Sequence, residues 1–164
     1  MMRRLAPLLV LTLAGCGLHP LYGGGASGAV AGTLRSVQVA PIEGQVGWLV
    51  RNKLVDRLGE SGAASPRFRL EVRLDDNITG FGIRGDRAVT RERRTLRARY
   101  QLVDLASGSV VLDATAGSDA GIDVVSSEYA TVAAEQTAAE RLAEVVADQI
   151  VGRLGVYAAR TAPR

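Results

Sequence analysis

Residues 67–74 read RFRLEVRL, and their alternation has no fault. Phe68, Leu70, Val72 and Leu74 fall on one side, Arg67, Arg69, Glu71 and Arg73 on the other. A period of two with one apolar and one charged side is a strand of an antiparallel sheet that is covered on a single face. Downstream, RRTLRARYQLVDL (93–105) repeats the pattern with Leu96, Ala98, Tyr100 and Leu102 inward. DLASG (104–108) supplies a turn, and SVVLDATAG (109–117) returns as the next strand of a hairpin.

Outward from these strands the spacing changes. LRSVQVAPI (34–42) alternates briefly and stops at Pro41, which predicts a short strand. QVGWLVRNKLVDRLGESG (45–62) spaces Val46, Leu49, Val50, Leu54 and Leu58 three or four apart and meets Gly59, a helix with its stop. SSEYATVAAEQTAAERLAEVVADQIVGRLG (126–155) predicts a long Ala-rich helix with a Ser126 or Ser127 cap and Glu128 in its first turn. Its stripe is Ala139, Leu142, Val146, Ile150 and Leu154. The predicted order is β-α-β-β-β-α. The implied fold class is α+β, a two-layer sandwich in which a four-stranded, mainly antiparallel sheet carries two helices on one face. The domain covers 34–156, residues 157–164 read as a loose tail, and the uncovered sheet face is rich in arginine.

The N-terminal part has another character. MMRR (1–4) is basic, LAPLLVLTL (5–13) is apolar, and Ala14 and Gly15 lead into Cys16, the single cysteine. A basic start, a short apolar run and small residues before a cut describe a secretory signal, and the run falls short of the ~20 residues that span a bilayer. Leu-Ala-Gly-Cys matches the bacterial lipobox, so residues 1–15 read as a lipoprotein signal peptide and Cys16 as the acylated N-terminus. Several acyl chains on one cysteine make a stable anchor where one chain is marginal. Residues 16–33, rich in Gly and Ala, read as a flexible tether; Leu18, Leu21 and Tyr22 are its large apolar exceptions.

Cleavage before Cys16 removes Arg3 and Arg4 and takes the formal charge from +3 to +1. The high pI therefore does not by itself imply a nucleic-acid partner, and none is expected. Catalysis finds little to work with. The single histidine, His19, sits in the tether, which excludes a histidine triad within the domain, and no metal-ligand set or cofactor motif is present. Asp75, Asp76 and Asn77 read as a polar turn at a strand end, with a carboxylate-pair hydrolase as the alternative. Trp48 on the first helix reads as at least partly buried. IRGD (83–86) reads as a turn.

Taken together, CGLHPLYG (16–23), GIRGDRAVTRERRTLRARYQLVD (82–104) and SSEYATVAAEQTAAERLAEVVADQI (126–150) resemble the LptE family of lipopolysaccharide-assembly lipoproteins, in its short alphaproteobacterial form. The resemblance implies an outer-membrane, periplasm-facing lipoprotein that complexes with and plugs the LptD β-barrel and assists delivery of lipopolysaccharide. It also implies a non-enzymatic role, with the covalent lipid on Cys16 in place of any cofactor. Gly17 after the cysteine, where aspartate retains many lipoproteins at the inner membrane, favours the outer one. An auxiliary subunit of an envelope lipid transporter is the other reading of such a lipid-anchored domain.

Lipopolysaccharide is rich in phosphates and acidic sugars, and arginine matches phosphate bidentately. Lys53 is the one lysine, so arginine carries nearly all the positive charge. Residues 81–99 hold Arg84, Arg87, Arg91, Arg93, Arg94, Arg97 and Arg99 against Asp86 and Glu92. Of these, Arg84, Arg87, Arg91, Arg97 and Arg99 are the lipopolysaccharide-binding candidates, and a merely solvated strand face is the alternative. Cys16→Ser is expected to abolish acylation. Intact-mass measurement should show loss of the lipid, and lipid retained on the variant would refute the anchor.

Overall fold

A computed structural model describes residues 28–59, 66–83 and 89–161. In chain order the elements are α1 (Ala29–Arg35), β1 (Val37–Val39), α2 (Gly44–Leu58), β2 (Phe68–Ile83), β3 (Val89–Asp104), β4 (Val110–Asp123) and α3 (Glu128–Thr161). They build the expected α+β sandwich, with the sheet ordered β1-β2-β3-β4. The sheet is mixed: β1 pairs parallel to β2, and the other pairings are antiparallel. A parallel pair needs a crossover connection, and α2 supplies it.

Alternation decides which side chains are buried. Phe68, Leu70, Leu96, Ala98, Tyr100 and Leu102 turn to the helix layer, each at most 2% exposed. From that layer Val50, Leu54 and Leu58 of α2 and Val146, Ile150 and Leu154 of α3 meet them, at most 1% exposed. Ala139, Ala143 and Ala147 of α3 are buried too, and such small side chains let the helix lie close. Arg57 of α2 reaches Glu144 (3.2 Å) and Asp148 of α3, tying the helices at their outer rim. Gly59 ends α2 at φ 66°, a left-handed cap that glycine adopts without a Cβ penalty. Ser127 begins α3, its Oγ accepting the Ala130 N–H at 3.4 Å.

Four expectations need correction. First, the strand predicted to begin at Leu34 is only Val37–Val39, because Ala29–Arg35 is helical and buries Leu34 through its last turn. Packing against α3 and β1 supports this short helix, which its Gly/Ala composition did not announce. Second, Asp75–Asn77 is no turn. The strand runs on to Ile83 because cross-strand arginines compensate its acids: Asp75 pairs in register with Arg97, and Arg94 binds Asp76. The hairpin strands are correspondingly long. Sixteen residues of β2 reach ~54 Å, matched by ~51 Å for the 34 residues of α3. Third, the helix does not stop at Gly155. Tyr157 meets the Phe68 ring edge-on at 6.2 Å and Ala158 is fully buried, so burial carries α3 to Thr161 through residues read as a tail. Fourth, Trp48 is 62% exposed, since α2 turns Gly47 and Val50 inward instead.

Beyond the apolar core, polar groups hold α3 to the distal sheet. Arg94 grips Asp76 through two bonds (2.9 and 2.6 Å) and donates to the Glu135 carbonyl at 3.0 Å. Beside it Glu92 Oε2 is buried without a hydrogen-bond partner. Desolvation first, then the charge of Glu135 and a hydrogen bond with it, pushes the Glu92 carboxyl above the ordinary carboxylate range.

Two outcomes follow for stability. Ile150→Ala should cost about 2–5 kcal/mol in chemical denaturation, whereas Trp48→Ala should change stability by less than ~0.5 kcal/mol. A group whose folded pKa is raised binds more protons in the folded state, so its contribution is full below the unfolded value and fades as pH rises through the folded one. Denaturation of Glu92→Gln from pH 4 to pH 7 should therefore show a stability gain over wild type that grows with pH. A gain independent of pH would refute the upward shift of the Glu92 carboxyl.

Candidate functional site: an arginine-lined hollow on the open sheet face

No described element covers the outer face of the sheet, and alternation sends the odd-numbered residues of β2 and β3 there. Arg69, Glu71, Arg73 and Asp75 come from β2; Arg91, Arg93, Arg97 and Arg99 come from β3. Arg93 joins them because β3 reaches back to Val89, and its guanidinium lies 5.4 Å from the Phe81 ring centre.

Where the segment 81–99 alone shows two acids, the neighbouring strand provides more. Arg91 bonds Asp123 at 3.1 Å, and Arg97 stands 3.9 Å from Asp119. Arg99 and Gln101 share Asp113, with Arg99 bonding both carboxylate oxygens (3.3 and 3.0 Å) and Gln101 one (2.8 Å). The hydrogen bonds from Arg99, then that from Gln101, hold the Asp113 carboxyl below its ordinary range. So the candidates Arg91, Arg97 and Arg99 each have an acidic neighbour. Cys16, His19, Arg84, Arg87 and Asp86 of IRGD lie outside the described residues.

Arg73 is the residue that sequence reasoning passed over. It stands directly opposite Arg99 in the β2–β3 ladder, and no acid forms a salt bridge with it among the described residues. Like charges facing each other across a ladder are unfavourable unless something anionic lies between them. Arg73, Arg97 and Arg99 line one hollow of about 640 Å³, with Asp75, Thr115 and Gly117. Gly117 makes room for it: a Cβ there would fall 2.6 Å from Arg97 Cδ. Arg97 lies flat as a result, donating to the Leu96 and Ser118 carbonyls at 3.2 and 3.0 Å. The alternation of 67–74 placed Arg73 outward; only the ladder register reveals which arginine it faces.

Asp75 and Asp76 do not make an acid–base pair. Asp75 is on the open face and Asp76 turns to Arg94 on the helix side. Among the described residues no group of three or more His, Cys, Asp or Glu side chains is placed to hold a metal ion. No described helix is long and apolar enough to cross a membrane.

Comparison with known proteins agrees with this architecture. A protein of Caulobacter crescentus CB15 assigned to the lipoproteins superposes with a TM-score of 0.68 at 25% identity, over 84% of this chain and 100% of the other. Rare lipoprotein B of Shewanella oneidensis shares the fold at a TM-score of 0.56 and 12% identity, over 74% and 92% of the two chains. A minor lipoprotein of Acinetobacter baumannii does so at 0.56 and 12%, over 75% and 92%. No match was found among curated proteins. The family model for LptE, described as lipopolysaccharide-assembly, matches residues 34–154, from the end of α1 through most of α3, and the chain therefore belongs to the LptE family.

Proposed function

We propose that this chain is a lipid-anchored outer-membrane protein that faces the periplasm, complexes with and plugs an LptD-type β-barrel, and assists the barrel's assembly and the delivery of lipopolysaccharide to the outer leaflet. Membership of the lipopolysaccharide-assembly family carries the reading. The shape is compatible with it: one apolar face packs against the helix layer, and the other is a polar, ion-paired wall suited to a wet lumen. Its role is binding and chaperoning rather than catalysis.

Within that role, the hollow between Arg73, Arg97 and Arg99 is the contact for phosphate or acidic sugar. An incoming anion would relieve the opposition of Arg73 and Arg99 and compete with Asp113 for the Arg99 guanidinium. Arg91, bound to Asp123 at the far end of β3, would contribute charge more than contact. Hydrogen bonds to charged groups are worth about 1.5–3 kcal/mol each, and 1.4 kcal/mol is tenfold in affinity.

The combined variant Arg73→Glu, Arg99→Glu should weaken lipopolysaccharide binding at least about tenfold at low salt while leaving the thermal midpoint close to wild type. Arg97→Glu, Arg99→Glu should weaken it in the same direction. Binding unchanged in both variants would leave the arginines as a solvated strand face and remove lipopolysaccharide contact from this surface.

A further inference from the structure

Most arginines of the open face are matched by an acid, and the two that are not stand well apart. Arg67, Arg69, Arg91, Arg97 and Arg99 each lie 2.8–3.9 Å from a carboxylate. Among the described residues Arg73 and Arg93 form no salt bridge, and Arg93 turns instead to Phe81. The ladder sets Arg73 opposite Arg99 and Thr79 opposite Arg93. The two rows are six strand residues apart, ~20 Å along the sheet. Phe81 marks the distal position a second time. It is 39% exposed, while Phe68 and Tyr100, the other aromatic side chains of the sheet, are 2% exposed on the inner face. A guanidinium over a ring steadies both partners, yet it leaves the cation without a counter-charge. A polar wall thus presents one apolar ring and one unmatched cation side by side.

The strip between the two positions has a different character. Asn77 and Thr79 of β2 and Thr95 of β3 share the outward parity, and among the described residues none of their side chains has a hydrogen-bond partner. Each can both donate and accept. Asp119, in register with Thr95, is turned to Arg97 at 3.9 Å, so no uncommitted charge lies between the hollow and Arg93. Gly121 of β4, in register with Arg93, adds no side chain and leaves that cation open on its far flank. This pattern selects among anionic ligands. A nucleic acid carries a phosphate on every unit and calls for cations along its whole length. An acyl chain needs an apolar stripe, and Phe81 stands alone. Hydroxyl groups between two negatively charged ends match the strip, and the C–H side of a sugar ring packs on an aromatic ring.

We infer that Phe81 and Arg93 form a second subsite, and that the open face takes one extended acidic saccharide. Its closely spaced negative groups sit in the hollow beside Arg73 and Arg99, its hydroxyls run along Asn77, Thr79 and Thr95, and a further sugar lies on Phe81 with its negative group on Arg93. The inference rests on the lipopolysaccharide contact proposed above and adds that the sugar chain itself is bound. The test uses the full acylated chain in detergent micelles and two lipopolysaccharide preparations, one with a long sugar chain and one truncated to the lipid and its innermost acidic sugars. The combined variant Phe81→Leu, Arg93→Gln should weaken binding of the long form about tenfold and of the truncated form less than about twofold. Phe81→Tyr, which keeps the ring, should bind the long form as wild type does. Leucine preserves the apolar contact of the partly buried ring, and an unchanged thermal midpoint verifies the fold. Arg73→Glu, Arg99→Glu should weaken both forms. If that variant loses both forms while the distal variant loses neither, or loses both equally, the hollow stands and the second subsite is overturned. If neither variant loses either form, the lipopolysaccharide contact falls and the inference with it.

Discussion

The stripe Val146, Ile150 and Leu154 of α3 can leave water only by lying on the one apolar face of the sheet, and the rest of the structure follows from that contact. These residues are at most 1% exposed, and so are Leu70, Leu96, Ala98 and Leu102 opposite them. Burying a side chain of this kind is worth about 1.5–3 kcal/mol, so a dozen of them set the register of the strands. A slip of one residue would turn Arg91, Arg93, Arg97 and Arg99 of β3 into the core. The same alternation that builds the core thus assembles the charged face. Once α2 and α3 occupy the inner side, the outer side keeps only scattered apolar residues such as Phe81, set among arginines and acids.

That outer face is balanced more closely than its composition suggests. Exposed ion pairs contribute about 0–1 kcal/mol each, so Arg91–Asp123 and Arg99–Asp113 do little for stability. What they do is hold guanidinium groups in fixed places on a twisted surface. Pairing lowers the general attraction for anions and leaves local geometry to discriminate. Arg73 against Arg99 is the place where balance fails, and Gly117 gives it depth. A surface of this kind suits a ligand with closely spaced negative groups better than a diffuse polyanion.

Fold class, the order of the elements from β1 onward and the buried faces of the strands and of α3 were legible in the sequence because alternation and three-to-four spacing are direct images of the core; α1, short and rich in Gly and Ala, was not. Element ends were less so. Asp75–Asn77 looks like a turn until Arg94 and Arg97, some twenty residues later, arrive beside it, and Gly155 looks like a stop until Tyr157 finds Phe68. In both cases the deciding contact is remote in sequence. The site divides the same way. Arg97 and Arg99 stand out in RTLRAR, but their acids come from β4, where a strand end read at Gly117 concealed Asp119 and Asp123. Arg73 was visible as an outward residue, and only the ladder shows that it opposes Arg99. Arg94 shares the parity of Leu96, which already assigned it to the inner face.

The proposed function requires that this one-sided domain work as the lipid-anchored partner of an outer-membrane barrel. The most direct measurement is affinity capture of the tagged, acylated chain from detergent-solubilised envelopes, with co-purifying proteins identified and quantified by mass spectrometry. Recovery of an LptD-type β-barrel at about one copy per chain is the result expected. Stoichiometric recovery of an inner-membrane transporter instead, or of no partner, would contradict the account.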